Sequence, residues 1–165
     1  MSRRKFEWSA EKTVFVAVCT ALIVLCSLLA YVALTPPLEE NFISIYVLDH
    51  NKMAVNYSQL LVIGENNTFS VWVGVQNFMG RTEHCSVLVK MDEGTVHTDP
   101  SPIEPVKRFE KVLLNKETWE FLFAMTLNQT GNYRIVFELW LFDELKNAFS
   151  YSGSWCSIWF DVIES

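Results

Sequence analysis

The chain has 165 residues, half of them hydrophobic, and a formal net charge of −6. That length suits one modest domain plus an accessory segment. The charge is distributed unevenly: the first 12 residues carry a net +2, and residues 39–165 carry nine basic and 17 acidic side chains, a net −8. An acidic main portion without a basic stripe excludes nucleic acid and anionic lipid headgroups as its natural partners.

From Thr13 to Leu34 run 22 residues with no charge, Pro or Gly. As a helix they span about 33 Å, against about 30 Å of bilayer hydrocarbon. No polar stripe interrupts them, so they read as a transmembrane helix rather than a core helix. A secretory signal is the rival. Its apolar core is usually about 7–15 residues with a small-x-small exit, and the exit here, Ala30-Tyr31-Val32-Ala33-Leu34, offers none. Arg3, Arg4, Lys5 and Lys12 precede the span, and Glu39 and Glu40 follow it. The positive-inside rule therefore predicts a cytoplasmic N-terminus (residues 1–12), a bilayer anchor (13–34), a linker (35–41) and an extracytoplasmic domain (42–165). Ala17 and Ala21 give the small-residue spacing that close helix packing uses.

Thr35-Pro36-Pro37 ends the helix, because Pro cannot continue it. The remainder reads as short strands with turn signals between them. Residues 42–48 form a first strand and 60–63 a short extended piece. Residues 68–75, 83–91, 119–127, 133–141 and 155–163 alternate apolar and polar. Residues 92–106, with Gly94, Pro100, Pro102 and Pro105, read as loop, and 143–154 as a polar connection. About seven alternating strands predict an all-β, immunoglobulin-like sandwich. Gly131-Asn132-Tyr133 has the form of a tyrosine corner, in which a Tyr opening a late strand ties back to the preceding loop. The Cys…Trp…Cys core of antibody domains is absent, since Ile135 stands where the second cysteine would be.

The order of several segments carries a resemblance. They are Phe42-Ile43-Ser44-Ile45-Tyr46-Val47-Leu48, Asn56-Tyr57, Leu61 through Thr68, Val71 through Asn77, Glu117-Thr118-Trp119, Gly131 through Leu139, and Ser157-Ile158-Trp159-Phe160-Asp161-Val162. Over residues 42–163 this order resembles an archaeal membrane-protein family catalogued as domain of unknown function 1616. The resemblance implies a β-sandwich outside the cytoplasm on a membrane anchor, and it supplies no catalytic residues. Members of that family often carry several membrane helices, whereas one is legible here.

Three N-glycosylation acceptor patterns fall in predicted turns: Asn56-Tyr57-Ser58, Asn66-Asn67-Thr68 and Asn128-Gln129-Thr130. Turns also favour Asn for conformational reasons. Cys19 and Cys26 lie in the membrane span as small apolar residues. Cys85 and Cys156 lie outside, on inward-facing sets. In an immunoglobulin-like order their strands flank a common neighbour about 10 Å apart, beyond the roughly 7 Å that a disulfide tolerates. Two buried thiols are therefore expected ahead of a Cys85–Cys156 bond.

His50, His84 and His97 are too scattered for a metal site, and no Cys-x-x-Cys exists. Asp92-Glu93-Gly94 and Asp143-Glu144 are acidic turns without EF-hand spacing. No nucleophile elbow or phosphate loop is present. No catalytic, cofactor or metal residues are assigned, and no enzyme is expected.

Trp140, Trp155 and Trp159 alternate with core residues, as do Trp72 and Phe142, so they face away from the core. Large aromatics on such a face suggest a covered surface. The bland alternative is local packing under residues 92–106 or 143–154. The expected function is a non-enzymatic module that binds another envelope or membrane protein, or serves as an accessory subunit of a membrane complex. The alternative is a carbohydrate-binding module that stacks sugar rings on the tryptophans.

Overall fold

The computed structural model describes residues 10–35, 41–55, 57, 59–92 and 98–165. The chain divides into two compact units, Met1–Glu39 and Glu40–Ser165. In the first, helix α1 runs Ala10–Leu34, three residues earlier than the uncharged run begins. Its hydroxyls turn back on their own helix: Thr20 donates to the Val16 carbonyl, Ser27 to Ile23 and Thr35 to Tyr31, at 2.7–2.8 Å. Such bonds remove the donors that a hydrocarbon environment would penalise. The helix is long and apolar enough to cross a bilayer, which fits a membrane anchor or a signal sequence.

The described residues of the second unit form a β-sandwich of eight strands: β1 Phe42–Leu48, β2 Leu60–Val62, β3 Thr68–Phe78, β4 Glu83–Asp92, β5 Lys107–Leu113, β6 Thr118–Thr126, β7 Gly131–Asp143 and β8 Ala148–Ile163. A three-stranded sheet has the order β1-β3-β6, and a five-stranded sheet the order β2-β8-β7-β4-β5. All pairs are antiparallel except β2, which lies parallel along β8 with Leu60 opposite Asp161. Strands β1, β3 and β6 take the places of A, B and E in an immunoglobulin-like fold, and β4, β7 and β8 those of C, F and G.

The alternation dictates which residues meet between the sheets. Phe69, Val71, Val73 and Val75 of β3 and Phe123 of β6 face Val87, Val89, Ile135, Phe137, Leu139 and Phe160, all buried. Phe69 stacks on Phe160 at 4.7 Å between ring centres, and Phe123 meets Phe137 edge-on at 5.5 Å. Aromatic pairs in these geometries add to the area they bury. The tyrosine corner is present: the buried Tyr133 donates its hydroxyl to the Gln129 carbonyl at 3.2 Å.

Two sequence expectations are corrected. Strand β5 was unforeseen, because two of its inward positions are Lys107 and Lys111, opposite Val89 and Cys85. Residues 143–154 are not a loose connection. A tight turn at 144–147 joins β7 to β8, which already begins at Ala148. The polar run Ser152-Gly153-Ser154 is a bulge opposite Leu139. Ser152 donates its hydroxyl to the Leu139 carbonyl at 2.6 Å, and Gly153 takes φ +82°.

Candidate interaction surface

The outward positions of β4, β7 and β8 follow from the register. Lys90 stands opposite Val136, and Leu88 opposite Glu138. Glu138 in turn faces Trp155, Arg134 faces Trp159, and Trp140 faces Tyr151. Trp140, Trp155 and Trp159 thus share the outer face of the five-stranded sheet.

That face is only partly open. Its centre holds an ion pair in a place usually left to water: Glu138 is 0% exposed and Lys90 4%. Burying two charges costs several kcal/mol per ion unless each remaining lone pair and proton finds a partner. Here they do. Lys90 Nζ lies 2.8 Å from Glu138 Oε2 and donates to the Ser101 carbonyl at 2.5 Å. The Ser101 amide donates to Glu138 Oε1 at 2.6 Å, and the Trp140 indole N–H to Oε2 at 3.1 Å. The segment leading into β5, held at Ser101, is thereby strapped across the sheet. Its other end is fixed by the Val106 amide, which donates to the Val89 carbonyl at 2.8 Å. Trp140 is accordingly half-buried beside Tyr151, 5.6 Å away, and serves the strap.

Towards the start of β7 the face opens. The Arg134 guanidinium lies 5.5 Å from the Trp155 ring centre and 5.3 Å from that of Trp159. Cation–π contacts of this kind strengthen as they are desolvated, and Arg134 is only 5% exposed. Its Nε finds no hydrogen-bond partner among the described residues. Trp159 caps this stack at 45% exposure. Next to it Asn132 Nδ2 donates to Asp161 Oδ1 at 2.6 Å, giving the exposed indole a polar border.

The other sequence candidates separate. Trp72 lies on the outer face of the three-stranded sheet, with Lys52 Nζ 4.3 Å from its ring centre. Cys85 and Cys156 are both free thiols. Their strands flank β7 as expected, but they align with Leu141 and Phe137, four residues apart along it. Two strand steps and that offset separate them by about 16 Å. Burial pushes both thiols up to about 12.

Asn66 and Asn128 are exposed, and the structure brings their turns together: Asn67 Nδ2 donates to Asn128 Oδ1 at 3.0 Å, and the Leu127 amide to the Asn67 carbonyl at 2.9 Å. Sequence spacing gave no hint of that neighbourhood. Asn56 lies outside the described residues, as do Glu93, Gly94 and His97. Asp143 caps its own turn, accepting from the Leu145 amide at 3.0 Å and pairing with Lys146 at 3.0 Å. His84 sits against Phe142 and Phe149. Among the described residues no group of three or more His, Cys, Asp or Glu is placed to hold a metal ion. A cleft of about 590 Å³ opens beside the β7–β8 turn, lined by Arg81, Glu83, His84, Phe142 and Asp143 among others. Its Arg81 and Glu83 side chains already pair at 2.6 Å.

Strand order and the tyrosine corner define the class as an immunoglobulin-like β-sandwich. No family model matches the chain, nor does any curated protein. Among solved structures it is similar to the CARDB domain of a Pyrococcus furiosus protein, crystallised in complex with di-metal ions. The TM-score is 0.52 at 17% identity, covering 79% of this chain and all of that one. It is also similar to part of a β-glucosidase from Listeria innocua, at TM-score 0.51 and 13% identity, covering 76% of this chain and 16% of the glucosidase. Both likenesses are of fold alone.

Proposed function

We propose that the chain is a membrane-anchored, non-enzymatic interaction module, a partner or accessory subunit of a cell-envelope membrane complex. Its β-sandwich lies on the outer side and its helix holds it to the bilayer. The observation that carries the reading is the Trp155–Arg134–Trp159 stack. It is an aromatic platform, exposed at Trp159, on a sheet whose outer face is strapped around Glu138. Trp and Arg dominate binding hot spots because they bring much area at little entropic cost. The basic flank before the helix supports the orientation. The resemblance of the segment order to an archaeal membrane family supports the envelope setting, and the exposed acceptors Asn66 and Asn128 suit glycosylation there.

A second reading is favoured by the Asn132–Asp161 pair beside Trp159. A flat indole with polar neighbours also suits a sugar ring, which would make the module a carbohydrate binder. One variant tests both. Trp159→Ser in the full chain keeps the melting temperature and loses the protein that a photo-crosslinker at the neighbouring exposed residue 163 captures in native membranes. Glycan-array binding lost in the same variant, with no protein adduct, selects the carbohydrate reading. A folded Trp159→Ser chain that retains every partner and every glycan refutes the platform.

A further inference from the structure

A sandwich of three strands on five has four sheet edges, and three of them are protected. Strand β2 is only three residues long. Strand β1 is tied to the opposite sheet, where the Ser154 hydroxyl donates to the Ile43 carbonyl at 3.3 Å. Strand β5 carries Lys107, Arg108 and Lys111. Lys107 Nζ lies 5.2 Å from the Phe109 ring centre, and Lys111 pairs with Glu117 at 2.9 Å. Short edges, cross-links and inward charges are the usual devices against strand addition.

Strand β6, Thr118–Thr126, has none of them. It contains no Lys, Arg or Pro. Its single charge, Glu120, is engaged on the outer face by Tyr46 Oη at 3.0 Å and Lys52 Nζ at 2.6 Å. Among the described residues its one sheet neighbour is β3. The Leu127 amide donates to the Asn67 carbonyl, and the Glu117 carbonyl accepts from the Asn77 amide. Odd-numbered residues therefore spend their backbone groups on β3. By the alternation of an antiparallel ladder, Thr118, Glu120, Leu122, Ala124 and Thr126 direct theirs to the open edge. The core-facing Trp119, Phe121 and Met125 stay half-exposed along it, and Leu122 on the other face is 52% exposed.

We propose that β6 pairs antiparallel with β6 of a second copy of this chain, about a two-fold axis through Leu122. The sequence of the strand argues for this occupant. Read outward from Leu122, two of the four symmetric pairs are identical, Phe121/Phe123 and Thr118/Thr126, and a third, Trp119/Met125, is apolar on both sides. The register sets Phe121 against Phe123, Trp119 against Met125 and Thr118 against Thr126 of the second copy. Glu120 meets Ala124, so no like charges oppose each other. Sliding the pairing to centre on Glu120 would place two carboxylates face to face, which fixes the register. Centred on Leu122, all outward backbone groups meet in about ten hydrogen bonds. The two three-stranded sheets become one continuous sheet with the half-exposed aromatics along its seam.

The test uses the full chain in detergent micelles, with light scattering to count protomers over a dilution series. Hydrogen exchange at residues 118–126 is followed in the same samples. Leu122→Lys sets two ammonium groups against each other on the axis. Leu122→Pro removes one edge-facing N–H and leaves the ladder to β3 intact. Val112→Lys on the β5 edge is the control. The expected result is a dimer whose edge amides lose protection on dilution. Association should weaken at least tenfold in both Leu122 variants at unchanged melting temperature, and stay unaffected in the control. If Leu122→Pro unfolds, Leu122→Lys decides. A monomeric wild-type chain, or a folded Leu122→Lys chain that dimerises like wild type, overturns the proposal.

Discussion

The ring of Tyr46 lies across Gly74 on the neighbouring strand, so closely that a β-carbon on Gly74 would run into the ring and its hydroxyl. The glycine faces the outer side of the three-stranded sheet between Tyr46 and Glu120. Its missing side chain lets the phenol reach Glu120 Oε1 at 3.0 Å. Burial, then the hydrogen bond to that carboxylate, push the phenol up to about 12.

Gly74→Ala should therefore destabilise the domain by about 1–3 kcal/mol, the usual cost of overpacking. Denaturant titration measures it. Adding Tyr46→Ala should recover part of the loss, because the collision then has no second party. A Gly74→Ala chain as stable as wild type would mean that the ring can swing away freely.

Removing one partner of the buried Lys90–Glu138 pair leaves an uncompensated charge under the strap. Glu138→Ala should cost about 3–5 kcal/mol. It should also release the segment around Ser101, which limited proteolysis between residues 98 and 106 would detect. Replacing Lys90 and Glu138 together by Met and Leu should cost less than Glu138→Ala alone. If the double variant is the worse one, the pair stabilises more than its desolvation takes away.

Alkaline conditions should unfold the domain before they harm most sandwiches. Tyr46 and Tyr151 are raised from 10.0 to about 12, and Cys85 and Cys156 from 9.0 to about 12, burial being the first cause in each. In the native state these groups hold protons that the unfolded chain releases. Their stabilisation is complete below pH 9 and is lost progressively as pH rises to about 12. The melting temperature should be flat with respect to these groups up to pH 9 and fall beyond it. At pH 8 alkylating reagents should leave both thiols unmodified until denaturant is added. Rapid native labelling of Cys85 would contradict its burial.

The sandwich was legible wherever one face of a strand is apolar throughout, as in Phe69-Val71-Val73-Val75 or Ile135-Phe137-Leu139. Tyr133 announced its corner through the Gly131-Asn132 step. Strand β5 was hidden because Lys107, over the Phe109 ring, and Lys111, paired with Glu117, take inward positions and break the alternation. The face of Trp140, Trp155 and Trp159 followed from parity alone. Packing under residues 92–106 stood as the alternative, but its fastening was not legible, because the strap is held by Ser101 backbone groups on Glu138 and Lys90, partners with no periodic relation to it. Only Trp159 keeps the open exposure that the sequence suggested for all three.

The bulge in β8 sets three residues, Ser152 to Ser154, against the single Leu139. The surplus is even, so Tyr151 emerges on the same side as Trp155 and still meets Trp140. Excising two bulge residues straightens the strand and leaves each remaining side chain on its own side. Excising one leaves two residues against Leu139, an ordinary bulge whose surplus residue stays unpaired while Tyr151 keeps facing Trp140. A length change here is thus taken up in the unpaired residues of the bulge, and the side on which Tyr151 emerges is what stays fixed.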